Sequence, residues 1–256
     1  MDLEFLLFAL ACAAFFAGFV DSIVGGGGLI QIPALFAAYP SALPASLFGT
    51  NKLASIVGTT SAAVQYARRV SIQWRLAGPG AVAALIGAWY GAKAVVYMPP
   101  SLLRPLVLGL LVLVAIYTFV RKDLGSVSRE AAEGRREVLL IVLIGAVVGF
   151  YDGFFGPGTG SFLIIAFIRF LGMDFLRASV TAKVLNVATN LAAISYFANN
   201  VEILWLVGAV MAVCNLSGAI VGSRMAIRHG TGFVRKMFLF VVIALIAKLA
   251  YDIVRG

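Results

Sequence analysis

The chain has 256 residues, of which 62% are hydrophobic and 12% are charged, and its mean hydropathy is +1.01. Soluble domains carry about 25% charged residues, so a soluble fold of this length could not bury so much apolar surface. The net charge of +9 could suggest nucleic-acid binding. The positive-inside rule of membrane proteins explains it better, because the cations cluster between apolar runs.

The apolar runs predict helices that cross a bilayer, each of which needs about 20 residues. Backbone groups in lipid must be satisfied within the protein, and no alternating apolar and polar pattern favours barrel strands. The first run follows Asp2 and Glu4 rather than cations. We therefore expect it to be a helix of the mature protein and not a secretory signal.

Taken in chain order, the elements fall into two similar series. The first series comprises an apolar helix at about 3–24, a break at Gly25–Gly28, a short helix at about 29–38, and spans at about 47–67, 74–97 and 102–120. The second comprises a helix at about 138–155, a break at 156–160, a short helix at about 161–171, and spans at about 178–198, 205–227 and 233–253. At 1.5 Å per residue, each short helix would cover only about half of the bilayer.

The two series are related by a constant offset of 131 residues. Gly18-Phe19-x-Asp21 recurs as Gly149-Phe150-x-Asp152, and Thr50-x-Lys52 recurs as Thr181-x-Lys183. Such duplication is typical of transporters built from two related halves. It predicts one membrane domain made of repeats at 1–120 and 137–256 with a linker at 121–136.

The distribution of cations predicts the orientation. Four segments at 68–75, 121–136, 169–177 and 224–236 hold 14 of the 20 Lys and Arg residues, and we place them in the cytoplasm. Each repeat would then be a broken or re-entrant helix pair plus three crossings, so the second repeat is inverted and both termini lie outside. The predicted fold is an all-α polytopic membrane protein with about eight helical segments and two half-helices.

The two glycine-rich breaks are the first candidate site. Small residues often serve close helix packing, which is the reading we prefer for Gly87, Gly91, Gly218 and Gly222. Four or five flexible residues before a half-length helix instead indicate unwound backbone that lines a substrate pathway. Inverted symmetry would bring the positive N-terminal ends of both short helices together, which favours an anion.

Ionisable residues in the spans are the second candidate feature. Lys52 and Lys183 would lie about five residues into their helices, where they could bind a ligand or extend to the membrane surface. Asp21 and Asp152 could each pair with the lysine of its own repeat, meet a helix end, or carry a proton. Four amide side chains could form hydrogen bonds either to a ligand or to neighbouring helices, and the sequence leaves both possibilities open. They are Asn51, Gln65, Asn186 and Asn190.

Other chemistry has little support in the sequence. Cys12 and Cys214 are expected to be packing residues, and His229 a solvated loop residue. No phosphate-binding G-x-x-x-x-G-K-[ST] pattern occurs, and no catalytic or metal-binding cluster is evident, so we expect no enzyme activity, cofactor or nucleic-acid partner. A passive channel or a carrier of another small ion remains an alternative, and small-residue faces could support a homodimer.

The stretch from Gly18 to Ile30, followed by Pro33 and Gly49-Thr50-Asn51-Lys52, resembles the TauE/SafE family of membrane transporters, as does Gly149–Gly160 followed by Thr181-x-Lys183. The resemblance covers both halves. It implies an inner-membrane secondary carrier that exports small sulfur-containing anions such as sulfite, sulfoacetate or related organosulfonates. Asn51 is matched by Ala182 and Gly26 by Pro157, so the two half-sites are not chemically equal.

The residues expected to bind substrate come from both breaks and both Thr-x-Lys elements, with Asp21 and Asp152 as coupling or ion-pair residues. They are Gly25, Gly26, Gly27, Gly28, Thr50, Asn51, Lys52, Gly156, Gly158, Thr159, Gly160, Thr181 and Lys183.

Overall fold

The computed structural model describes residues 3–103, 105–107, 109–110 and 134–229. The described residues contain helices and turns and no strand. The helices are α1 (Leu3–Val24), α2 (Gly28–Ala38), α3 (Pro44–Ala67), α4 (Trp74–Tyr97), α5 (helical residues within 100–110), α6 (Arg135–Phe154), α7 (Thr159–Leu171), α8 (Phe175–Asn200) and α9 (Trp205–His229).

The all-α fold predicted from the sequence is confirmed, and the helix boundaries agree closely with the prediction. The bounds of α1 and α4 match, and α3 and α8 begin three residues earlier than expected. Gly28, Thr159 and Gly160 were expected in the breaks but lie in the first turns of α2 and α7. The predicted last span and most of the linker lie outside the described residues.

Four of these helices, α1, α4, α6 and α9, are long and apolar enough to cross a membrane by length and composition. Their outer faces carry large exposed apolar side chains, including Phe8, Leu139 and Leu206. Such extensive exposed apolar surface is expected where lipid covers the protein. The chain is therefore a polytopic membrane protein. Whether its second half is inverted across the bilayer stays a prediction.

The two halves exchange equivalent contacts. A Cβ on Gly87 or Gly91 of α4 would overlap carbonyl oxygens of α6, and one on Gly218 or Gly222 of α9 would overlap carbonyl oxygens of α1. The contacted carbonyl groups belong to Ala146 and Phe150 on α6 and to Phe15 and Phe19 on α1. The two contacted residues on α6 are therefore 131 residues after their counterparts on α1. The packing role expected for these four glycines is confirmed.

The most polar long helices, α3 and α8, lie side by side and run in opposite directions. Gly49 near the start of α3 lies against Phe197 near the end of α8, while Tyr66 at the end of α3 shares an apolar cluster with Ala178 and Ala182 at the start of α8. A second apolar cluster contains Phe48, Phe155 and Phe197 at the opposite end. The middle of both helices is therefore enclosed between two apolar clusters.

Substituting Gly91 with alanine tests the contact between α4 and α6. The new Cβ would overlap the carbonyl oxygen of Phe150, and overpacking of this kind typically costs about 1–3 kcal/mol. Gly78→Ala in the same helix is the matched control, because a Cβ there has nothing within 4 Å and alanine favours helix by up to about 1 kcal/mol. We expect Gly91→Ala to lower the thermal unfolding midpoint of the purified protein and Gly78→Ala to leave it unchanged or raise it. Equal midpoints for both variants would contradict the close packing.

Candidate functional site

The two chain breaks meet at the centre of the described structure. The Ser161 backbone N–H donates to the Gly25 carbonyl at 3.2 Å, and the Ser161 hydroxyl donates to the Val24 carbonyl at 2.6 Å. Gly25 has a φ of +82°, and a Cβ there would also collide with the backbone of Gly160. Glycine is required at this position both for its left-handed backbone and for this close approach.

The breaks leave backbone donors unused. Gly27 and Gly158 precede the first turns of α2 and α7, where N–H groups have no partner within the helix. The N–H groups of Gly28, Gly158 and Gly160 have no hydrogen-bond acceptor within the described ranges. They line one cavity together with the positive ends of both short helices, which favours a bound negative charge.

Two ion pairs cross between the repeats. Lys52 Nζ lies 2.7 Å from Asp152 Oδ1, with the two side chains only 3% and 2% exposed. Lys183 Nζ lies 3.2 Å from Asp21 Oδ2 and also donates to the Asp21 carbonyl oxygen. Each aspartate therefore pairs with the lysine of the other repeat, in two contacts related by the same 131-residue offset.

This arrangement corrects the expected position of the lysines and shows that both aspartates form ion pairs. Asp21 also meets a helix end, because its Oδ1 accepts from the Gly27 N–H at the start of α2, at 3.4 Å. The pairs do not form within one repeat, because the antiparallel contact of α3 and α8 places each lysine beside the partner repeat's break. Both lysines lie eight residues into their helices rather than about five, since α3 and α8 begin earlier. Neither lysine extends to the membrane surface, because both are buried in ion pairs.

A small cavity of about 20 Å³, with room for about one water-sized molecule, lies beside the ion pairs. Eight of the thirteen predicted substrate residues line it, and both predicted aspartates do so as well. The eight are Gly25, Gly28, Asn51, Lys52, Gly156, Gly158, Thr159 and Gly160. The structure thus brings together both breaks, Asn51 and Lys52 of one Thr-x-Lys element, and both carboxylates.

The remaining predicted substrate residues do not line this cavity. Gly26 and Gly27 support the break, while Lys183 reaches the site through its bond to Asp21. The Thr50 hydroxyl donates to the Ser46 carbonyl at 2.8 Å and accepts from the Leu204 N–H at 3.1 Å. Thr50 therefore ties α3 to the residue just before α9. Thr181 is likewise buried and away from the cavity.

Two further cavity residues, Ser55 and Thr59, were missed by the sequence reasoning. They follow Lys52 by three and seven residues, the spacing of one helix face, which is the signal that could have identified them. The Thr59 hydroxyl donates to Asp21 Oδ2 at 3.3 Å. Asn186 and Asn190 also line the cavity and bond to each other at 3.2 Å, whereas Gln65 does not line it.

Two buried oxygen atoms in the cavity wall have no hydrogen-bond partner among the described residues. They are Asp152 Oδ2 and Asn51 Oδ1. Unpaired buried polar atoms are costly, so they mark a place where water, a proton or a ligand donor would be stabilised. Both atoms lie in the wall that contains Lys52.

Other candidate chemistry is peripheral to this site. The described residues contain no group of three or more His, Cys, Asp or Glu side chains placed to hold a metal ion. Cys12 and Cys214 are half-buried free thiols. His229 was expected in a loop, but it ends α9, with Nδ1 2.9 Å from the Met225 carbonyl oxygen.

A double-mutant cycle on Lys52 and Asp152 measures the crossed ion pair. Removing one partner leaves an uncompensated buried charge, so Lys52→Ala or Asp152→Ala alone should cost about 3–5 kcal/mol. The double variant should cost several kcal/mol less than the two single costs combined. The measurement is the free energy of unfolding in mixed detergent micelles.

The exposed pair Arg177–Asp174 is the control for this cycle, with side chains 43% and 40% exposed. Arg177→Ala combined with Asp174→Asn, which keeps a capping side chain at the start of α8, should show a coupling below about 1 kcal/mol. Additive costs at Lys52 and Asp152 would contradict the crossed pairing.

Comparison with known proteins places this architecture in a family. The family model described as "Sulfite exporter TauE/SafE" matches residues 10–249. "Probable membrane transporter protein ORF9" of Sinorhizobium sp is 38% identical over 253 residues, covering 98% of this chain and 95% of that protein. "Probable membrane transporter protein YfcA" of Escherichia coli K12 is 36% identical over 247 residues, covering 96% of this chain and 90% of that protein. No solved structure matches the chain. The chain therefore belongs to the TauE/SafE family of membrane transporters.

Proposed function

We propose that this membrane transporter is a secondary carrier that exports small sulfur-containing anions, such as sulfite, sulfoacetate or related organosulfonates, across the cytoplasmic membrane. The observation that carries the proposal is the cavity in which buried Lys52 meets two helix N-termini with unused N–H donors. The family description as a sulfite exporter supports the substrate class and the direction.

The donor set favours a trigonal oxyanion. A sulfite or sulfonate group has three oxygens that a lysine and backbone N–H groups can share in charge-assisted hydrogen bonds. Gly158 has a φ of +82°, and a Cβ on Gly160 would collide with the Gly25 backbone, so two of the three donors lie where glycine is required. The two carboxylates do not favour a cation here, since each is already paired with a lysine.

Exchange of the ion-pair partner of Lys52 gives a route by which anion binding is coupled to proton binding. In the described conformation Asp152 is that partner, so its carboxylate holds the position that an anionic substrate would take. Substrate binding to Lys52 would release Asp152 and leave its carboxylate buried without a cation. A proton on Asp152 would then restore charge balance, which links anion binding to proton binding.

The small volume of the cavity is consistent with alternating access rather than an open pore. It has room for about one water-sized molecule, so a sulfonate cannot enter without movement of its walls. Tyr66 and Phe197 occupy equivalent positions in the two repeats and are both fully buried. Tyr66 belongs to the apolar cluster at one end of the α3–α8 pair, and Phe197 to the cluster at the other end. At 1.5 Å per residue each lies about 21 Å along its helix from the corresponding lysine. Opening one apolar cluster at a time would expose the site to one side of the membrane.

Transport by purified protein in liposomes tests this function. The double variant Lys52→Gln/Asp152→Asn replaces the ion pair by neutral side chains of similar size, so folding should be retained while anion binding is lost. We expect the wild type to give saturable sulfite or sulfoacetate flux and the variant to lose at least about 100-fold, equal to about 2.7 kcal/mol of transition-state stabilisation.

The exposed pair provides the matched control, because Arg177→Gln/Asp174→Asn removes the same charges away from the cavity. It should transport like the wild type. Flux of the wild type that never saturates would favour a passive channel, and flux that is equal in the two double variants would contradict a substrate site at Lys52.

The proposed orientation places the N-terminus, the C-terminus and Glu202 outside the cytoplasm and the linker 121–136 inside. Ser71 and Glu202 provide a matched test because they are exposed loop residues at the same repeat position. In a background with Cys12 and Cys214 replaced by serine, Glu202→Cys should react with a membrane-impermeant thiol reagent on intact cells. Ser71→Cys should react only after the cells are permeabilised. Labelling of both from the same side would contradict the inverted arrangement.

A further inference from the structure

A basic groove lies on the side of the protein, away from the ion-pair cavity. It has a volume of about 800 Å³ and runs between the last turns of α3 and α9. Among the residues that the structure describes, its walls contain Arg68, Arg69, Arg224 and Arg228 and no carboxylate. Four arginines in one groove favour an anionic ligand, and arginine suits phosphate groups because it donates two parallel hydrogen bonds.

The rest of the groove is largely apolar. Val64, Ile220 and Ile227 contribute to its walls. A free inorganic anion gains nothing from such surface, whereas a molecule with a charged head and a hydrocarbon chain can use both parts of the groove.

The groove lies on the opposite side of α3 from the transport site. At 3.6 residues per turn, its residues on α3 are rotated roughly 160° from the face that carries Lys52, Ser55 and Thr59. On the groove side, Val57 and Val64 are 37% and 46% exposed. Buried Tyr66 instead lies on the same face of α3 as the transport site.

An exposed apolar track continues from the groove along α9. Val213 and Val221 lie on the same face of α9 as the groove residues and are 64% and 43% exposed. From Arg228 to Val213 the helix rises about 22 Å, which is enough to accommodate much of one acyl chain. The headgroup position and the chain path are therefore continuous on one lipid-facing surface.

The equivalent position in the other half of the protein is not arginine-rich. There the 131-residue offset places Trp89 and Tyr196 where the groove has Ile220 and Gln65. The two rings pack edge to face with centroids 5.1 Å apart. Asn199 and Asn200 replace Arg68 and Arg69, and only Lys93 keeps a positive charge. The groove is thus a feature of one end of the molecule, the end with the cation-rich loops.

We propose that this groove binds an anionic phospholipid, with the phosphodiester headgroup held by the arginines and one acyl chain along the valine-rich faces of α3 and α9. Basic pockets between membrane helices on the cytoplasmic side commonly hold such headgroups. This inference does not depend on the proposed transport function, because it involves none of the ion-pair residues.

Lipid binding to the detergent-purified, full-length protein tests the proposal. Phosphatidylglycerol should raise the thermal unfolding midpoint, whereas phosphatidylcholine and inorganic phosphate should not. In a titration by native mass spectrometry, Arg68→Gln/Arg224→Gln should weaken phosphatidylglycerol binding about 30-fold, which corresponds to about 1 kcal/mol for each arginine. Both arginines are exposed, so the substitutions should not prevent folding.

Arg135→Gln/Arg136→Gln is the matched control, because it removes two exposed cations at the start of α6, outside the groove. It should bind phosphatidylglycerol like the wild type. Equal weakening in both double variants would overturn the proposal in favour of general attraction to charge. Stabilisation by inorganic phosphate that requires the groove arginines would overturn it in favour of a site for free anions.

Discussion

The crossed ion pairs between Lys52 and Asp152 and between Lys183 and Asp21 are the constraint on which the central structure depends. Buried charges are tolerated only when they are paired, so neither half can keep its lysine and aspartate in the membrane without the other half. The pairs hold each break beside the polar face of α3 or α8. The same pairing that stabilises the contact between halves therefore places Lys52 in the wall of the cavity, where we propose that the anion binds.

Glycine makes this contact possible because two interrupted backbones must touch. Gly25 and Gly160 approach so closely that a side chain on either would collide with the other's backbone. A break with ordinary side chains would keep the two N-termini apart, and their positive ends would not share a cavity. The positive φ values at Gly156 and Gly158 serve the second break in the same way.

Much of this fold could be predicted because apolar length, glycine runs and a constant repeat offset are local signals that survive in one sequence. The partner of each aspartate could not, since a repeat offset does not tell whether equivalent residues meet within a half or across halves. Thr50 shows a related limit: its hydroxyl is used to bind the Leu204 N–H, although its neighbour Lys52 lines the cavity. Ser55 and Thr59 were accessible to helix periodicity, but their role depends on which face α3 turns toward the breaks.

Departures from the repeat separate the two half-sites. Asp152 is 2% exposed and has one oxygen without a partner, whereas Asp21 is 21% exposed and has an additional donor in Thr59. Asn51 adds a second unpaired oxygen beside Lys52, while alanine occupies the equivalent position next to Lys183. The Lys183–Asp21 pair is thus the better satisfied and the more structural of the two. Because its partners are less completely satisfied, the Lys52–Asp152 pair is the one at which we propose that a ligand is exchanged, and a symmetric scaffold would then contain a single, asymmetric binding centre.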